Sequence, residues 1–248
     1  MKLTPRAYPH LVENEMAHLQ AAANLGLAVV KAQLVSDAAG ESGLFVERFD
    51  RVCPGGHVRR LAFEDATQLL DLMPATKYDV PTETVLTTLA ARASAPLVTA
   101  QKALTHFIFA WASGNGDLHA KNIALLGRPA REGEFDLAPM YDVPCTLIYG
   151  DAEMALSIGG RKKNLKAKHW RELAAEVGIP ERALAGIAGV VLSAASAVDW
   201  DSLPFEGSVR NGCLRELRAR RYELEQLAGD RAAGISNAAG TGRRPKNG

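Results

Sequence analysis

The apolar positions at the start of the chain follow a helical period. Leu11, Leu19 and Ala22 fall on one face of a 3.6-residue repeat. Gly26 follows them and is the residue type that most commonly ends a helix. The pattern predicts a helix over residues 10–25.

The composition of the chain changes after this helix. Residues 28–35 and 44–49 are rich in β-branched and aromatic side chains, and the segment between them is rich in turn-forming residues. Two such runs around a turn are typical of a β-hairpin. The chain therefore begins as a small α+β unit.

The pattern from residue 63 to about residue 112 is mostly helical, with proline-containing breaks at residues 73–74 and 79–81. Residues 100–111 are almost continuously apolar, which is typical of a helix that is buried on most sides. A Gly-Asn-Gly segment at residues 114–116 ends this helical run.

Two short strands and three further helices complete the pattern. The strands are predicted over residues 123–126 and 135–138, on either side of a loop with glycine, proline and charged residues. The helices are predicted over residues 165–177, 181–197 and 208–228. Residues 229–248 are poor in large apolar side chains, which predicts a disordered tail.

Composition and charge narrow the class of protein. The 248 residues are 47% hydrophobic and 23% charged, and a formal net charge of +1 gives no bulk electrostatic reason to bind nucleic acid or a membrane. Cys53, Cys145 and Cys213 are far apart and form no Cys-x-x-Cys pair, which suits a reducing cytoplasm. The sequence shows neither a run of about 18 apolar residues nor an export signal.

The segment that carries chemistry follows the buried helix. Asp117 and Asn122 stand five residues apart, and Asp142 follows the second predicted strand. Phosphoryl transfer needs a carboxylate that orients or deprotonates the attacking hydroxyl, and oxygen ligands that hold Mg²⁺ on the phosphates. The offset and the chain order match those of the protein-kinase catalytic loop and its metal-binding aspartate.

Two other interpretations of these residues have to be weighed. An Asp or Asn after Gly is often a turn or cap residue, but here a buried helix precedes the pair and strands follow it. A metal site built from His119 with His106 or His169 lacks the spacing of metal-ligand motifs. The kinase interpretation is therefore favoured.

Six separate segments of the chain also carry a family resemblance. They read ENEMAHLQAAANLGL, VERFDR, RLAFEDATQLLDLMPATKY, GNGDLHAKN, APMYDVPCT and MALSIGG. In this order they resemble the signature segments of the HipA family, the atypical serine/threonine kinases that act as toxins in bacterial toxin–antitoxin modules. The resemblance covers roughly residues 2–228.

The resemblance implies an α+β, atypical protein-kinase-like fold. Residues 1–50 would form a truncated remnant of the β-containing N-lobe, and residues 51–228 would form a mainly helical C-lobe with the catalytic loop and the metal-binding segment. ATP and Mg²⁺ would be the cofactors, and the cytoplasm would be the location.

The resemblance also implies roles for individual residues. Asp117 would be the catalytic base, and Asn122 and Asp142 would be the Mg²⁺ ligands. His119 would lie in the catalytic loop and bind near the nucleotide.

Two further segments would contact the nucleotide. Glu47 and Phe49 belong to a segment that would form the hinge between the lobes and hydrogen-bond adenine, with a salt-bridged strand end at the surface as the alternative interpretation. Lys2 stands where the family has its phosphate-contacting lysine, and Glu13 or Glu15 could be its partner. Because terminal residues fray unless a sheet pins them, Lys2 is expected to be poorly held.

The sequence departs from the family pattern at its start. The family has a glycine-rich phosphate loop before the lysine strand, whereas this sequence begins at Met1 and Lys2. A separate chain could supply the missing N-terminal elements, the chain could be an incomplete copy, or its true start could lie upstream.

Three functions remain open from the sequence. The leading hypothesis is a HipA-like kinase that phosphorylates a Ser or Thr hydroxyl of a cytosolic protein, with aminoacyl-tRNA synthetases as substrate class and a HipB-type antitoxin as partner. The second is a catalytically silent binding module that contacts an antitoxin or repressor, and the third is a small-molecule kinase. Asp117, Asn122 and Asp142 favour a kinase, whereas the departure at the start favours the binding module.

Overall fold

A computed structural model describes residues 1–229 of the chain as an α+β arrangement of helices and three small sheets. The helices in this range are α1 (Leu11–Ala22), α2 (Ala66–Leu69), α3 (Thr82–Arg92), α4 (Pro96–Ser113), α5 (Ala167–Glu176), α6 (Glu181–Ser196) and α7 (Gly207–Ala228). The strands in the same range are β1 (Lys2–Leu3), β2 (Ala32–Ser36), β3 (Ser42–Val46), β4 (Arg51–Val52), β5 (Arg59–Arg60), β6 (Phe63–Asp65), β7 (Ala124–Arg128) and β8 (Arg131–Leu137). The predicted disordered tail, residues 229–248, lies outside the described residues except for Gly229.

The first sheet is antiparallel and has the strand order β1-β3-β2. Strands β2 and β3 form the predicted hairpin, and Leu34 pairs with Leu44 at its centre. Strand β1 adds to the other edge of β3, where Lys2 pairs with the same Leu44. The expectation that Lys2 is poorly held is therefore wrong, because backbone pairing fixes it beside β3.

A parallel bridge joins the chain ahead of this hairpin to the segment after β8. Val30 donates its backbone N–H to the carbonyl oxygen of Met140 at 3.0 Å, and Met140 donates to the carbonyl oxygen of Ala28 at 2.8 Å. Asp142 follows Met140 by two residues. The bridge therefore fixes the position of Asp142 relative to the hairpin.

The other two sheets lie later in the chain. Strands β7 and β8 overlap the two predicted short strands, and both extend into the predicted loop because they pair as a hairpin. The prediction of helix from residue 63 onward is wrong at its start, since Phe63 pairs with Leu126 and places β6 beside β7. Pairing with β7 decides this segment, because strand formation depends on a neighbouring strand more than on the local sequence. Strands β4 and β5 form a separate two-stranded ribbon.

Helix α4 is the centre of the helical part of the molecule. Leu104, Phe107 and Ile108 are fully buried, and α3, α6 and α7 pack around the helix. This confirms the prediction of a helix that is buried on most sides. Each large apolar side chain buried in this way stabilises the folded state by about 1.5–3 kcal/mol. Helices α5, α6 and α7 begin and end within two residues of their predicted bounds.

Helix α1 carries a buried amide that holds the chain downstream of Asp142. Nδ2 of Asn14 donates to the carbonyl oxygen of Cys145 at 2.9 Å, and the Cys145 N–H donates to Oδ1 of Asn14 at 3.0 Å. Asn14 is fully buried. The two hydrogen bonds therefore join α1 to the Cys145 backbone in an environment where an unpaired polar group is costly.

Within residues 1–229, no helix has both the length and the apolar composition that a bilayer crossing needs. The three cysteines are free thiols, and Cys53 is exposed whereas Cys145 and Cys213 are buried.

The Asn14 contacts generate a stability prediction. We expect Asn14→Ala to lower the free energy of unfolding by about 2–4 kcal/mol, because it leaves the buried N–H and carbonyl groups of Cys145 unpaired. The matched control is Asn24→Ala, at an exposed position whose side chain makes one local bond of 3.2 Å to the carbonyl oxygen of Ala21. Urea titration of the three proteins measures the difference, and equal losses in both variants would contradict the expectation.

Candidate active site

The loop after α4 depends on two glycines. Gly114 ends α4 with a φ of 79°, a left-handed conformation that favours glycine. Gly116 is needed for space, because a Cβ atom there would lie 2.5 Å from the carbonyl oxygen of Glu153. Its N–H donates to Oγ1 of Thr146 at 2.7 Å. The loop is therefore pressed against the segment that follows Asp142.

Hydrogen bonds inside the loop hold the backbone of Asp117 from both sides. Oδ1 of Asn115 accepts the Asp117 N–H at 2.8 Å. Nδ2 of Asn122 and the N–H of His119 donate to the Asp117 carbonyl oxygen at 2.9 and 2.8 Å. The five-residue offset from Asp117 to Asn122 thus corresponds to a direct contact, and the Asp117 carboxylate is left for other partners.

Asp142 is brought to this loop from the segment after β8. Nδ2 of Asn122 donates to Oδ2 of Asp142 at 3.3 Å, and Nζ of Lys2 donates to Oδ1 of Asp142 at 2.6 Å. Asp142 has a φ of 55°, an uncommon conformation for a residue other than glycine and one that concentrates at functional sites. The predicted phosphate and metal residues are therefore in contact.

Lys2 is shared between two carboxylates. Its Nζ lies 2.8 and 2.9 Å from the two carboxylate oxygens of Glu15, which is buried, so Glu15 and not Glu13 is its helix partner. Burial opposes the charged form of Lys2, but Asp142 and Glu15 more than offset it and raise the pKa of Lys2. Burial raises the pKa of Glu15, although the Lys2 ammonium opposes that rise.

A cavity of about 490 Å³ opens beside this ion pair. Lys2, Glu15 and Asp142 line one part of it, and Glu47 and Phe49 of the predicted hinge line another. Its apolar and aromatic lining consists of Met1, Val30, Val46, Phe49, Phe63 and Tyr141. The rings of Phe49 and Tyr141 stack with centroids 5.7 Å apart. The structure therefore places four predicted site residues, Lys2, Glu47, Phe49 and Asp142, around one cavity.

A second cavity, of about 370 Å³, is also lined by Asp142. Asp117 and Asp142 both line it, together with Tyr78, Tyr149 and Asp151. Asp142 is thus common to both cavities, whereas Asp117 lines only the second.

His119 is placed differently from the residues around the first cavity. It is buried, and its Nε2 accepts a hydrogen bond from Nζ of Lys77 at 2.7 Å and lies 3.7 Å from Oδ1 of Asp117. Burial lowers the pKa of His119, the charge of Lys77 adds to that effect, and Asp117 opposes it. The lining of the first cavity does not include His119, so its role at the nucleotide stays a prediction.

Sequence reasoning missed Lys77 and Tyr78. The Tyr78 hydroxyl donates to Oδ1 of Asp117 at 3.1 Å across 39 residues of sequence. Both residues lie in one of the segments that resemble the family, but no spacing rule connects that segment with the catalytic loop. Only the folded chain brings them together.

The alternative histidine metal site does not form. Among residues 1–229, no group of three or more His, Cys, Asp or Glu side chains could hold a metal ion. His106 is buried within α4, where burial lowers its pKa to about 3. His169 accepts the backbone N–H of Lys166 at 2.8 Å as part of the start of α5. His106 therefore packs inside α4 and His169 caps the start of α5, so neither is placed as a metal ligand beside His119.

Helices with small antiparallel sheets and an Asp-x-x-x-x-Asn loop whose aspartate lines a cavity are typical of the kinase-like class of proteins. The chain belongs to the family of HipA-like C-terminal domains, whose family model matches residues 1–198. This match confirms the resemblance found in the sequence.

Curated relatives agree with this assignment. The protein named "Putative kinase Y4mE" from Sinorhizobium fredii is 36% identical over 181 residues, which is 69% of this chain and 42% of the relative. The serine/threonine-protein kinase toxin HipA from Shewanella oneidensis is 29% identical over 167 residues, which is 61% of this chain and 38% of the relative. The chain therefore spans less than half the length of the curated relatives that it matches.

Solved structures show the same fold. A chain of the Shewanella oneidensis MR-1 toxin–antitoxin complex of HipA, HipB and operator DNA matches with a TM-score of 0.72 and 24% identity, over 90% of this chain and 58% of that chain. The Helicobacter pylori proinflammatory kinase CtkA matches with a TM-score of 0.55 and 16% identity, over 95% of this chain and 87% of that chain. These matches confirm the α+β, kinase-like fold that the sequence predicts.

The close approach of Gly116 generates a second prediction. We expect Gly116→Ala to lower the free energy of unfolding by about 1–3 kcal/mol, because the new Cβ would overlap a backbone oxygen and force the loop to move. The control is Gly189→Ala in α6, where a Cβ meets nothing within 4 Å and helix propensity predicts a gain of up to about 1 kcal/mol. Denaturant titration checks both, and a neutral Gly116→Ala would show that the loop is not closely packed.

Proposed function

We propose that the chain is a HipA-like serine/threonine kinase, which transfers the γ-phosphoryl group of Mg·ATP to a Ser or Thr hydroxyl of a cytosolic protein. One observation carries the proposal: an unbroken line of hydrogen bonds runs from Lys2 through Asp142 and Asn122 to the backbone of Asp117. This line crosses from the first cavity to the second. Such an arrangement suits a reaction in which a group passes from a donor on one side to an acceptor on the other.

The first cavity suits ATP. Its volume of about 490 Å³ is within the range of small-molecule sites, about 300–1,000 Å³. Stacked Phe49 and Tyr141 offer an aromatic wall for a base, and Lys2 offers a positive charge for phosphate oxygens. In this proposal Glu47 and Phe49 belong to the hinge segment that hydrogen-bonds adenine through its backbone.

Asn122 and Asp142 fit a magnesium ion. Both offer hard oxygen ligands, and they are 3.3 Å apart between Nδ2 and Oδ2. Because Nδ2 of Asn122 is used in hydrogen bonds, its Oδ1 is the atom that would coordinate. Two protein ligands are a typical number for Mg²⁺ at a nucleotide, where phosphate and water oxygens supply the rest. When bound, the ion would neutralise charge on the phosphates.

Asp117 would act on the acceptor. Its carboxylate lines the second cavity, where it would orient the acceptor hydroxyl and take its proton as the oxygen bonds to phosphorus and the bond to ADP breaks. His119, 3.7 Å from Asp117, would lie at the transferred end of the nucleotide.

The biological setting is proposed from the relatives. A relative is named a HipA toxin, and a matched structure comes from a complex that contains HipB. We propose that this chain is the toxin component of such a module, pairs with a HipB-type antitoxin and phosphorylates an aminoacyl-tRNA synthetase. The free thiols of its cysteines suit the cytoplasm.

The metal assignment predicts a loss of nucleotide affinity. We expect Asp142→Asn and Asn122→Ala each to weaken Mg·ATP binding by about tenfold or more, because each removes a ligand or its charge. Calorimetric titration with Mg·ATP measures the affinity, and Asp201→Asn, at an aspartate whose side chain is 92% exposed, is the control. Wild-type affinity in both site variants would reject the assignment, and a lowered melting temperature would instead indicate a structural role.

The base assignment predicts that binding and chemistry separate. We expect Asp117→Ala to bind Mg·ATP within about twofold of wild type yet to lose roughly 10²–10⁴-fold in phosphoryl transfer, because its contribution is made in the transition state. Transfer of radiolabelled phosphate to a panel of purified aminoacyl-tRNA synthetases and other cytosolic proteins is the measurement. Near-normal transfer by Asp117→Ala would contradict the assignment. If the wild-type chain bound Mg·ATP but transferred no phosphate, that result would favour the silent binding module.

A further inference from the structure

The segment that contains Lys77 and Tyr78 is docked onto the catalytic loop. The Ala120 N–H donates to the carbonyl oxygen of Lys77 at 3.2 Å, and Nζ of Lys77 donates to Nε2 of His119 at 2.7 Å. Nζ of Lys162 donates to the carbonyl oxygen of Tyr78 at 3.3 Å. Backbone and side-chain contacts therefore hold this segment beside the residues that follow Asp117.

The ring of Tyr78, which is 38% exposed, contacts two neighbouring side chains. The rings of Tyr78 and His119 are in a T-shaped arrangement, with centroids 5.1 Å apart and an interplanar angle of 80°. Nζ of Lys77 lies 4.7 Å from the ring centroid. In this orientation the hydroxyl donates to Oδ1 of Asp117 at 3.1 Å.

The contact distinguishes the two oxygens of the Asp117 carboxylate. A general base has to present an oxygen within hydrogen-bond reach of the hydroxyl that it deprotonates, and a small misplacement can reduce the rate about 10²-fold. With Oδ1 engaged by Tyr78, rotation of the carboxylate is restrained and Oδ2 is left for the acceptor. Tyr78 lines the same cavity as Asp117, which places the contact on the acceptor side.

We propose that Tyr78 is a positioning residue that orients Asp117 toward the acceptor hydroxyl. This inference rests on the proposed kinase function. Tyr78 does not exchange a proton in the reaction; the proton of the acceptor passes to Oδ2 of Asp117 while the Tyr78 hydroxyl keeps its own.

The surroundings of Tyr78 keep it a hydrogen-bond donor. Burial and then the negative charge of Asp117 raise the pKa of Tyr78 to about 12, and Asp151 adds to the effect. Lys77, Lys162 and His119 also contact Tyr78, and Asp142 and Tyr149 line the same cavity. The phenol is therefore protonated at neutral pH.

Tyr78→Phe tests the proposal, because it keeps the ring that packs on His119 and removes the hydroxyl alone. We expect kcat for phosphoryl transfer to fall roughly 10- to 100-fold with the KM for ATP within about twofold of wild type. A merely structural role would alter the melting temperature or KM instead. The matched control is Tyr222→Phe, at an exposed tyrosine of α7, and we expect it to retain wild-type kcat and KM.

A second measurement reports the contact without any turnover. The chain has five tyrosines, so fluorine NMR of protein labelled with fluorotyrosine gives few resonances, and Tyr78→Phe assigns the one from Tyr78. We expect Asp117→Asn to lower the pKa of that phenol, because it removes the neighbouring negative charge.

The outcomes separate this inference from the function on which it rests. Wild-type kcat in Tyr78→Phe alongside an inactive Asp117→Ala would overturn the positioning role and leave the kinase proposal standing. If Asp117→Asn left the pKa of Tyr78 unchanged, that result would also overturn the positioning role. A wild-type chain that binds no Mg·ATP and transfers no phosphate would overturn the proposed function, and the positioning role with it.

Discussion

The site depends on the hydrogen bonds of one buried side-chain amide, that of Asn14. Both polar atoms of a buried amide need partners, and in Asn14 both bond to the backbone of Cys145. Its two hydrogen bonds to the Cys145 backbone, 2.9 and 3.0 Å, fix the segment after Asp142 against α1. That segment in turn holds the catalytic loop, since the N–H groups of Thr146 and Leu147 donate to the carbonyl oxygen of Gly114 at 2.9 and 3.0 Å. Helix α1 therefore positions both the segment that contains Asp142 and, through it, the catalytic loop.

The neighbouring residue on α1 organises the charges. A buried carboxylate such as Glu15 is stable only with a cation close by, and Lys2 supplies it from an edge strand. The same ammonium reaches Asp142 at 2.6 Å, so one lysine is shared between two carboxylates. Breaking the pair with Glu15 would leave a buried carboxylate without its cation, and this constraint gives the two-residue strand at the start of the chain a defined position.

The line of contacts from Lys2 to Asp117 also separates two environments. On the first side, an aromatic wall and Lys2 suit a nucleotide; on the second, Asp117 and Tyr78 face a cavity that suits an acceptor. Asp142 borders both. In the proposed kinase, the nucleotide and the acceptor would therefore meet at the one carboxylate that both cavities share.

The sequence by itself determined the elements that depend on local patterns. Apolar periodicity located the helices, apolar and β-branched runs on either side of a turn or loop located the hairpins, and the fixed offset from Asp117 to Asn122 identified the catalytic loop. These signals lie within a few residues of each other. Tertiary structure alone decided the rest. The pairing of β6 with β7 and the contact of Tyr78 with Asp117 join parts of the chain that are distant in sequence. Glu13 and Glu15 are equivalent candidates in the local sequence, and only the folded chain shows that Lys2 pairs with Glu15. Such contacts follow from packing and from the pairing of buried polar groups, which no local pattern records.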